Sequence, residues 1–143
     1  MRHLLIALIL ASAALFAAPK PQPPAKDARA ARFQPFELPD GTVLTLAVDN
    51  SKPFTIPLVE NPSTGFMWQA SIGNPEAVTA VSAEYLPGGR PGMTGAPGVR
   101  LFTFKGNGHG GSCILRFRHR RPWEKDTPPA QTITVLVILQ HSR

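Results

Sequence analysis

The sequence predicts an all-β domain, an immunoglobulin-like antiparallel β-sandwich of about seven strands. Three observations lead to this fold class: apolar residues recur with a period of two in short runs, turns rich in glycine and proline separate the runs, and no run has a convincing helical period. The 16 prolines and 12 glycines among 143 residues favour a fold with many turns over a helical one.

The chain is expected to begin with an export signal. A basic start at Arg2 precedes an apolar run over residues 4–18, which is short for a bilayer-spanning helix and ends in small residues suited to signal-peptidase cleavage. We therefore expect residues 1–18 to be a signal peptide and the mature protein to be periplasmic or secreted. Residues 19–35 are rich in proline and alanine and are expected to be a linker, which leaves residues 36–143 for one folded domain.

Each strand is predicted from alternating apolar residues between turn signals. Pro57 places the second strand at a sheet edge or a bulge, and Trp68 in the third is expected to lie inside the sandwich. The fourth run also begins with a fair helix start, and we interpret it as a strand with a bulge instead of a partly helical segment. The predicted strands are residues 43–49, 54–59, 66–72, 76–86, 99–105, 112–119 and 132–139.

The connection between the second and third strands is a tight turn over residues 61–66. Pro62 fixes its own φ and restrains Asn61 to extended conformations, while Gly65 is free to take a positive φ. Two later connections also look stiff or unusual: residues 87–98 form a long loop rich in glycine and proline, and residues 120–129 carry a tryptophan beside a proline. Because strand direction alternates, these three connections are expected at one end, where stiff neighbouring loops are typical of a binding edge.

Motifs in these three loops are Asn61-Pro62-Ser63-Thr64-Gly65-Phe66, Gly95-Ala96-Pro97-Gly98 and Arg121-Pro122-Trp123. In this order they resemble the motifs of the chagasin family of cysteine-protease inhibitors, which are NPTTG with an aromatic residue, then GxGG, then RPW, on an immunoglobulin-like sandwich. Each motif is weak singly, but all three in order between fitting strands are fairly specific. The resemblance covers about residues 38–140.

The resemblance implies a reversible, tight-binding inhibitor of papain-like cysteine proteases that is not itself an enzyme. The three loops would form a wedge, in which the first loop covers the catalytic cysteine and the other two grip either side of the cleft. All residues of the three motifs are therefore expected at the protease contact, with Ser63 and Thr64 as the tip and Trp123 as the hot spot. Two positions depart from the family pattern: Ser63 stands where threonine is usual, and Pro97 replaces a glycine and removes a backbone N–H.

Catalysis and metal binding are alternative functions, and the chemistry of single residues argues against both. Cys113 has no partner for an intramolecular disulfide and faces inward in its strand pattern, as a small buried hydrophobe does. Ser63 as a nucleophile, with His109 or His119 as its base, lacks the sequence context of a serine hydrolase. The same two histidines lack the spacing of metal ligands. We expect no cofactor and no metal site.

The expected partner is a papain-like cysteine protease; we expect no nucleic-acid partner, no stable membrane insertion after signal cleavage, and a monomer. The formal charge of +6 leaves an alternative open, since Arg116, Arg118 and Arg120 share one strand face. On that alternative, the protein is a periplasmic or secreted binding module for an anionic ligand. A structural or adhesive sandwich is a third possibility, and it would leave the three loops without a role.

Overall fold

The computed structural model of the protein describes residues 37–89 and 95–141. The predicted signal peptide and linker lie outside the described residues. Within the described ranges, none of the helical segments is long and apolar enough to cross a membrane.

All seven predicted strands are confirmed, with ends that differ from the predicted ones by at most about two residues. The strands are β1 (Val43–Asp49), β2 (Pro53–Glu60), β3 (Met67–Ile72), β4 (Val78–Leu86), β5 (Gly98–Gly106), β6 (Gly111–Arg120) and β7 (Gln131–Gln140). One turn of 3₁₀ helix, Pro62–Thr64, is the helical element of the described chain.

The strands form two packed sheets, one with the order β1-β7-β6-β3 and the other with the order β2-β5-β4. The pairs are antiparallel except for β1 and β7, which are parallel. This exception follows from the alternation of strand direction, because both strands are odd-numbered and run the same way. The connections β2–β3, β4–β5 and β6–β7 consequently leave the sandwich at the same end, which we call the loop end.

The core lies between the sheets and is built from the inward-facing rows of the strands. Phe117 of β6 is fully buried, and its ring centroid lies 5.2 Å from that of Phe102 and 6.2 Å from that of Phe104, both on β5. Trp68 and Cys113 are buried, as their strand patterns predicted. Burial of a side chain such as Phe117 stabilises the fold by about 1.5–3 kcal/mol.

Two local predictions are confirmed and one needs a correction. β2, which contains Pro57, is an edge strand. No strand pairs with it on its open side, so a missing proline N–H on that side costs no ladder hydrogen bond. The register of β4 against β5 shifts between Ala80 and Ser82, which is the predicted bulge. The correction concerns β7, whose second row is also largely apolar and thus predicts a strand covered on both faces. Ile138 in that row lies on the outer face of its sheet and is exposed.

Candidate functional site

The first loop (residues 61–66) is a single 3₁₀ turn held by its own side chains. Asn61 is extended, with φ −122° and ψ 94°, and its Oδ1 accepts hydrogen bonds from Ser63 N at 3.2 Å and from Ser63 Oγ at 2.6 Å. Thr64 donates to the Asn61 carbonyl through N at 3.1 Å and through Oγ1 at 2.7 Å. Gly65 closes the turn with φ +79° and donates its N–H to Pro62 O at 3.0 Å. The loop is therefore pre-ordered before any partner arrives.

The tip of the first loop faces solvent, as predicted. Pro62, Ser63 and Thr64 are exposed. The hydroxyl groups of Ser63 and Thr64 already donate hydrogen bonds inside the loop. The tip therefore presents chiefly a fixed shape to a partner. Ser63 Oγ donates to an amide oxygen and not to a histidine, an arrangement that does not activate a nucleophile.

The second loop (residues 87–97, of which 90–94 lie outside the described residues) is tied to the first. Asn61 Nδ2 donates to Gly95 O at 3.0 Å, and Gly95 itself takes a positive φ of +82°. Ala96 and Pro97 complete the described part of the loop, with Pro97 exposed. The side chain of Asn61 thus orders one loop with its Oδ1 and reaches the next with its Nδ2.

Gly98 of the second motif begins β5 and is buried, where it pairs with Glu60 of β2. A Cβ at this position would lie 2.3 Å from Leu86 O and 2.5 Å from the hydroxyl oxygen of Tyr85. Glycine is needed at this position because of the close backbone approach, which supports the loop from below. Its role is conformational, and direct contact with a partner would have to come from its neighbours.

The third loop (residues 121–130) packs directly on the first. Arg121 Nε donates to Thr64 O at 3.4 Å, and its guanidinium carbon lies 4.6 Å from the centroid of the Phe66 ring. The same guanidinium forms an ion pair with Glu124 at 3.1 Å. The Nε and Nη1 donors of Arg121 and the face of its guanidinium are therefore engaged within the site, where the side chain joins two loops.

Trp123 is a large, exposed side chain at the loop end. It is 66% exposed, and Pro122 beside it is exposed as well. One edge of the indole rests on the first loop, since a Cβ built on Gly65 would lie 2.7 Å from Trp123 Cη2. The ring is thus held in place on one side and open to solvent on the other. All three predicted motifs are brought together at one end of the sandwich.

An aromatic stack lies beneath the first and third loops. The ring of His119, one residue before the end of β6, stacks on Trp68 at 4.7 Å and lies 5.4 Å from Phe66. Trp68 in turn donates its indole N–H to Val59 O at 2.7 Å. His119, considered above only as a base or a ligand, is a packing residue between the stems of two loops.

We predict that this stack makes the stability of the fold pH-dependent. Burial lowers the pKa of the His119 imidazole below its usual range, while the carboxylate of Glu60 opposes the shift. The unfolded chain takes up this proton near pH 6.5, whereas the folded chain takes it up at lower pH. The free energy of unfolding should therefore be highest above about pH 6.5 and fall as the pH drops through the folded-state pKa.

Urea unfolding of the wild type and of His119→Phe, at a series of pH values between about 7.5 and 5, measures this effect. The variant keeps an aromatic ring in the stack but has no proton to bind. The difference in unfolding free energy between the two proteins should change with pH in the stated direction, and a constant difference would show that His119 does not contribute.

The three arginines predicted to share one strand face have different environments in the structure. Arg116 and Arg118 are exposed on the outer face of the four-stranded sheet. Arg120 instead donates through Nη2 to the carbonyls of Glu124 and Lys125, at 2.5 and 2.8 Å, and so braces the third loop. The anion-binding alternative therefore retains two of its three arginines. The described residues contain no group of three or more His, Cys, Asp or Glu side chains that could hold a metal ion.

Two residues that support the site were not predicted from the sequence. Glu60 and Arg100 form an ion pair at the foot of the first loop, with Glu60 fully buried. A signal for both existed, because Glu60 continues the inward-facing row of Ile56 and Leu58, and Arg100 continues that of Phe102. Two opposite charges at inward positions of two strands, both near the loop end, indicate a buried pair.

Comparison with known proteins places this arrangement among protease inhibitors. The family model described as chagasin family peptidase inhibitor I42 matches residues 47–137. Amoebiasin-2 of Entamoeba histolytica is 30% identical over 99 residues, which cover 67% of this chain and 77% of that protein.

Solved structures also match this chain. The crystal structure of the cysteine protease inhibitor EhICP2 from Entamoeba histolytica matches with a TM-score of 0.59 at 25% identity, covering 69% of this chain and 95% of the other. The solution structure of amebosin matches with a TM-score of 0.50 at 28% identity, covering 71% and 90%.

PbICP-C, whose structure was solved in complex with falcipain-2, has a TM-score of 0.54 at 15% identity, covers 77% of this chain and 95% of its own, and shows the shared fold. The family match extends over more than half of the chain and includes all three loops of the loop end. This protein belongs to the chagasin family of peptidase inhibitors.

Proposed function

We propose that this protein inhibits papain-like cysteine proteases reversibly and tightly, by inserting the three loops of the loop end as a wedge into the active-site cleft. The observation that carries the proposal is the cross-linking of the loops: Asn61 bonds to Gly95, and Arg121 bonds to Thr64 and stacks on Phe66. Family membership supplies the class of target. The contact residues are those of the three motifs given above, except Gly98, which is buried and supports the second loop from below.

A rigid edge of this kind suits inhibition. Loops that are ordered before binding lose little conformational entropy on association, so more of the contact energy appears as affinity. Complexes of proteases with their inhibitors typically bury roughly 800 Å² on each partner. An area of that size is within reach of three adjacent loops.

The tip would block the catalytic thiol without reacting. In this proposal, Ser63 and Thr64 lie over the active-site cysteine of the protease and exclude a substrate. Both hydroxyls are already bonded to Asn61, so neither is offered as a nucleophile or a proton donor to the enzyme. Gly65, at φ +79°, sets the path by which the chain turns back from the cleft.

Titration of papain with the purified domain tests the proposal. We expect a stoichiometric loss of activity that is restored on dilution or on removal of the inhibitor, and mass spectrometry should recover the inhibitor uncleaved. Trypsin serves as a control, since it has a serine nucleophile and a differently shaped cleft, and should keep its activity. Full papain activity at micromolar inhibitor would overturn the proposal.

We also propose that the protein acts outside the cytoplasm, after removal of the export signal expected in residues 1–18. The support is the basic start followed by a short apolar run. Expression of the full chain, followed by N-terminal sequencing of the protein in the periplasmic and culture fractions, tests this. An intact N-terminus on cell-associated protein would contradict it.

A further inference from the structure

A buried ion pair lies directly beneath the first loop. The side chain of Glu60, the last residue of β2, is 0% exposed, and its Oε1 accepts hydrogen bonds from Arg100 Nε at 3.1 Å and Nη2 at 2.5 Å. Arg100, on β5, has a side chain that is 16% exposed and lies over the ring of Tyr85, 5.3 Å from its centroid. Burying such a pair is costly, and apolar residues of similar size usually give equal or greater stability. Stability is therefore a poor explanation for these charges.

The first loop has an unusual need for side-chain anchors. β2 is paired within the three-stranded sheet and β3 within the four-stranded sheet, so the loop crosses from one sheet to the other. In a hairpin, the strand ladder would fix both stems of the turn. Here, Glu60 Oε2 accepts the backbone N–H of Trp68 at 2.8 Å, and Trp68 Nε1 donates to Val59 O at 2.7 Å. These two bonds close the base of the loop.

The same carboxylate also reaches the strand that follows the second loop. Arg100 lies two residues beyond Gly98, the first residue of β5, and Glu60 is the register partner of Gly98. One buried side chain therefore contacts the two stems of the first loop and the outgoing stem of the second.

We propose that Glu60 is a positioning residue for the protease-binding edge. Its two oxygens hold Trp68 and Arg100, and thereby fix the angle at which Ser63 and Thr64 leave the sandwich relative to the second loop. The inference rests on the proposed function, which it deepens. Without the carboxylate, the loop would still form its 3₁₀ turn, but the turn would have to be oriented when the protease binds, and that ordering would reduce affinity.

The double variant Glu60→Met/Arg100→Met separates positioning from stability. It replaces the ion pair with apolar side chains of similar length but also leaves the Trp68 N–H without its acceptor. These two effects oppose each other, so the thermal midpoint should stay close to that of the wild type. The inhibition constant for papain should nevertheless rise by at least about tenfold, since the base of the first loop loses its bond between Glu60 and Trp68 and its link to Arg100.

A matched control removes a polar pair between the same two strands at their other end. Thr55 Oγ1 and Thr103 Oγ1 are hydrogen-bonded at 3.0 Å, and Thr55→Val/Thr103→Val deletes that bond far from the loops. This control should leave the inhibition constant unchanged.

A second variant, Glu60→Gln, keeps the shape of the side chain and decides the matter if the double variant does not fold. Amide exchange in the free protein should be faster at Trp68 in this variant than in the wild type, and inhibition of papain should be weaker. Wild-type inhibition constants in a folded variant would overturn the positioning role, as would unchanged exchange at Trp68. If the wild type fails to inhibit papain while exchange at Trp68 is faster in Glu60→Gln, the proposed function falls and the ordering of the loop by Glu60 stands.

Discussion

Replacing Trp123 with alanine is expected to weaken inhibition of papain by roughly 30-fold, which corresponds to a loss of about 2 kcal/mol of binding free energy. The indole is 66% exposed in the free protein, and it is the largest apolar side chain that the loop end offers to a partner. Its position is defined, because one edge rests against Gly65. A large ring that is fixed before binding combines a wide contact area with a small loss of side-chain entropy.

The fold should survive this change. Trp123 lies outside both core clusters, so its removal opens no cavity between the sheets. The thermal midpoint of Trp123→Ala is accordingly expected to stay close to that of the wild type, and far-ultraviolet circular dichroism should be unchanged.

Val81→Ala is the control, because Val81 is similarly exposed, at 59%, but lies on β4 away from the three loops. Its inhibition constant should match that of the wild type. Equal affinities for Trp123→Ala and the wild type would show that the third loop is anchored by something other than the indole.

The strands and the common end of the three loops were predictable from the sequence because both depend on local patterns. A period of two marks each strand, proline and glycine mark each turn, and the alternation of strand direction then determines which connections are neighbours. Even the bulge beside Val81 and the edge position of Pro57 follow from local features.

The contacts between the loops were not predictable, because they join residues that are distant in the chain. Arg121 and Thr64 are separated by 57 positions, and their hydrogen bond depends on how the two sheets pack. The motif alone gives Arg121 as a direct protease contact, which stays a prediction, whereas the structure adds its internal role as a bridge to Phe66. The pairing of Glu60 with Arg100 was partly predictable. The alternation of side chains along each strand places both residues on inward faces, but it does not show that they are in contact.

The second large effect is expected from Gly65→Ala, which should weaken inhibition about as much as loss of the indole, roughly 30-fold. Alanine at φ +79° costs about 1–2 kcal/mol of backbone strain, and its Cβ would lie 2.7 Å from Trp123 Cη2 and 3.0 Å from Cζ2. The ring is the movable partner in this clash. Both the shape of the tip and the position of the anchor should therefore change.

Gly108→Ala is the matched control, since Gly108 has φ +88° in the turn between β5 and β6, at the opposite end of the sandwich, with open space around its Cβ position. It should carry a similar strain and lose stability, but keep the wild-type inhibition constant. Strain alone would lower the stability of both variants, so a difference in inhibition isolates the effect on the loop end.

A double-mutant cycle then tests whether Gly65 acts through the indole. If it does, Gly65→Ala adds much less to the inhibition constant in the Trp123→Ala background than in the wild type, because there is no ring left to displace. Strictly additive effects would mean that Gly65 serves only the shape of the first loop. Non-additive effects would instead show that the first and third loops act as one binding unit, whose geometry depends on the lack of a Cβ at Gly65.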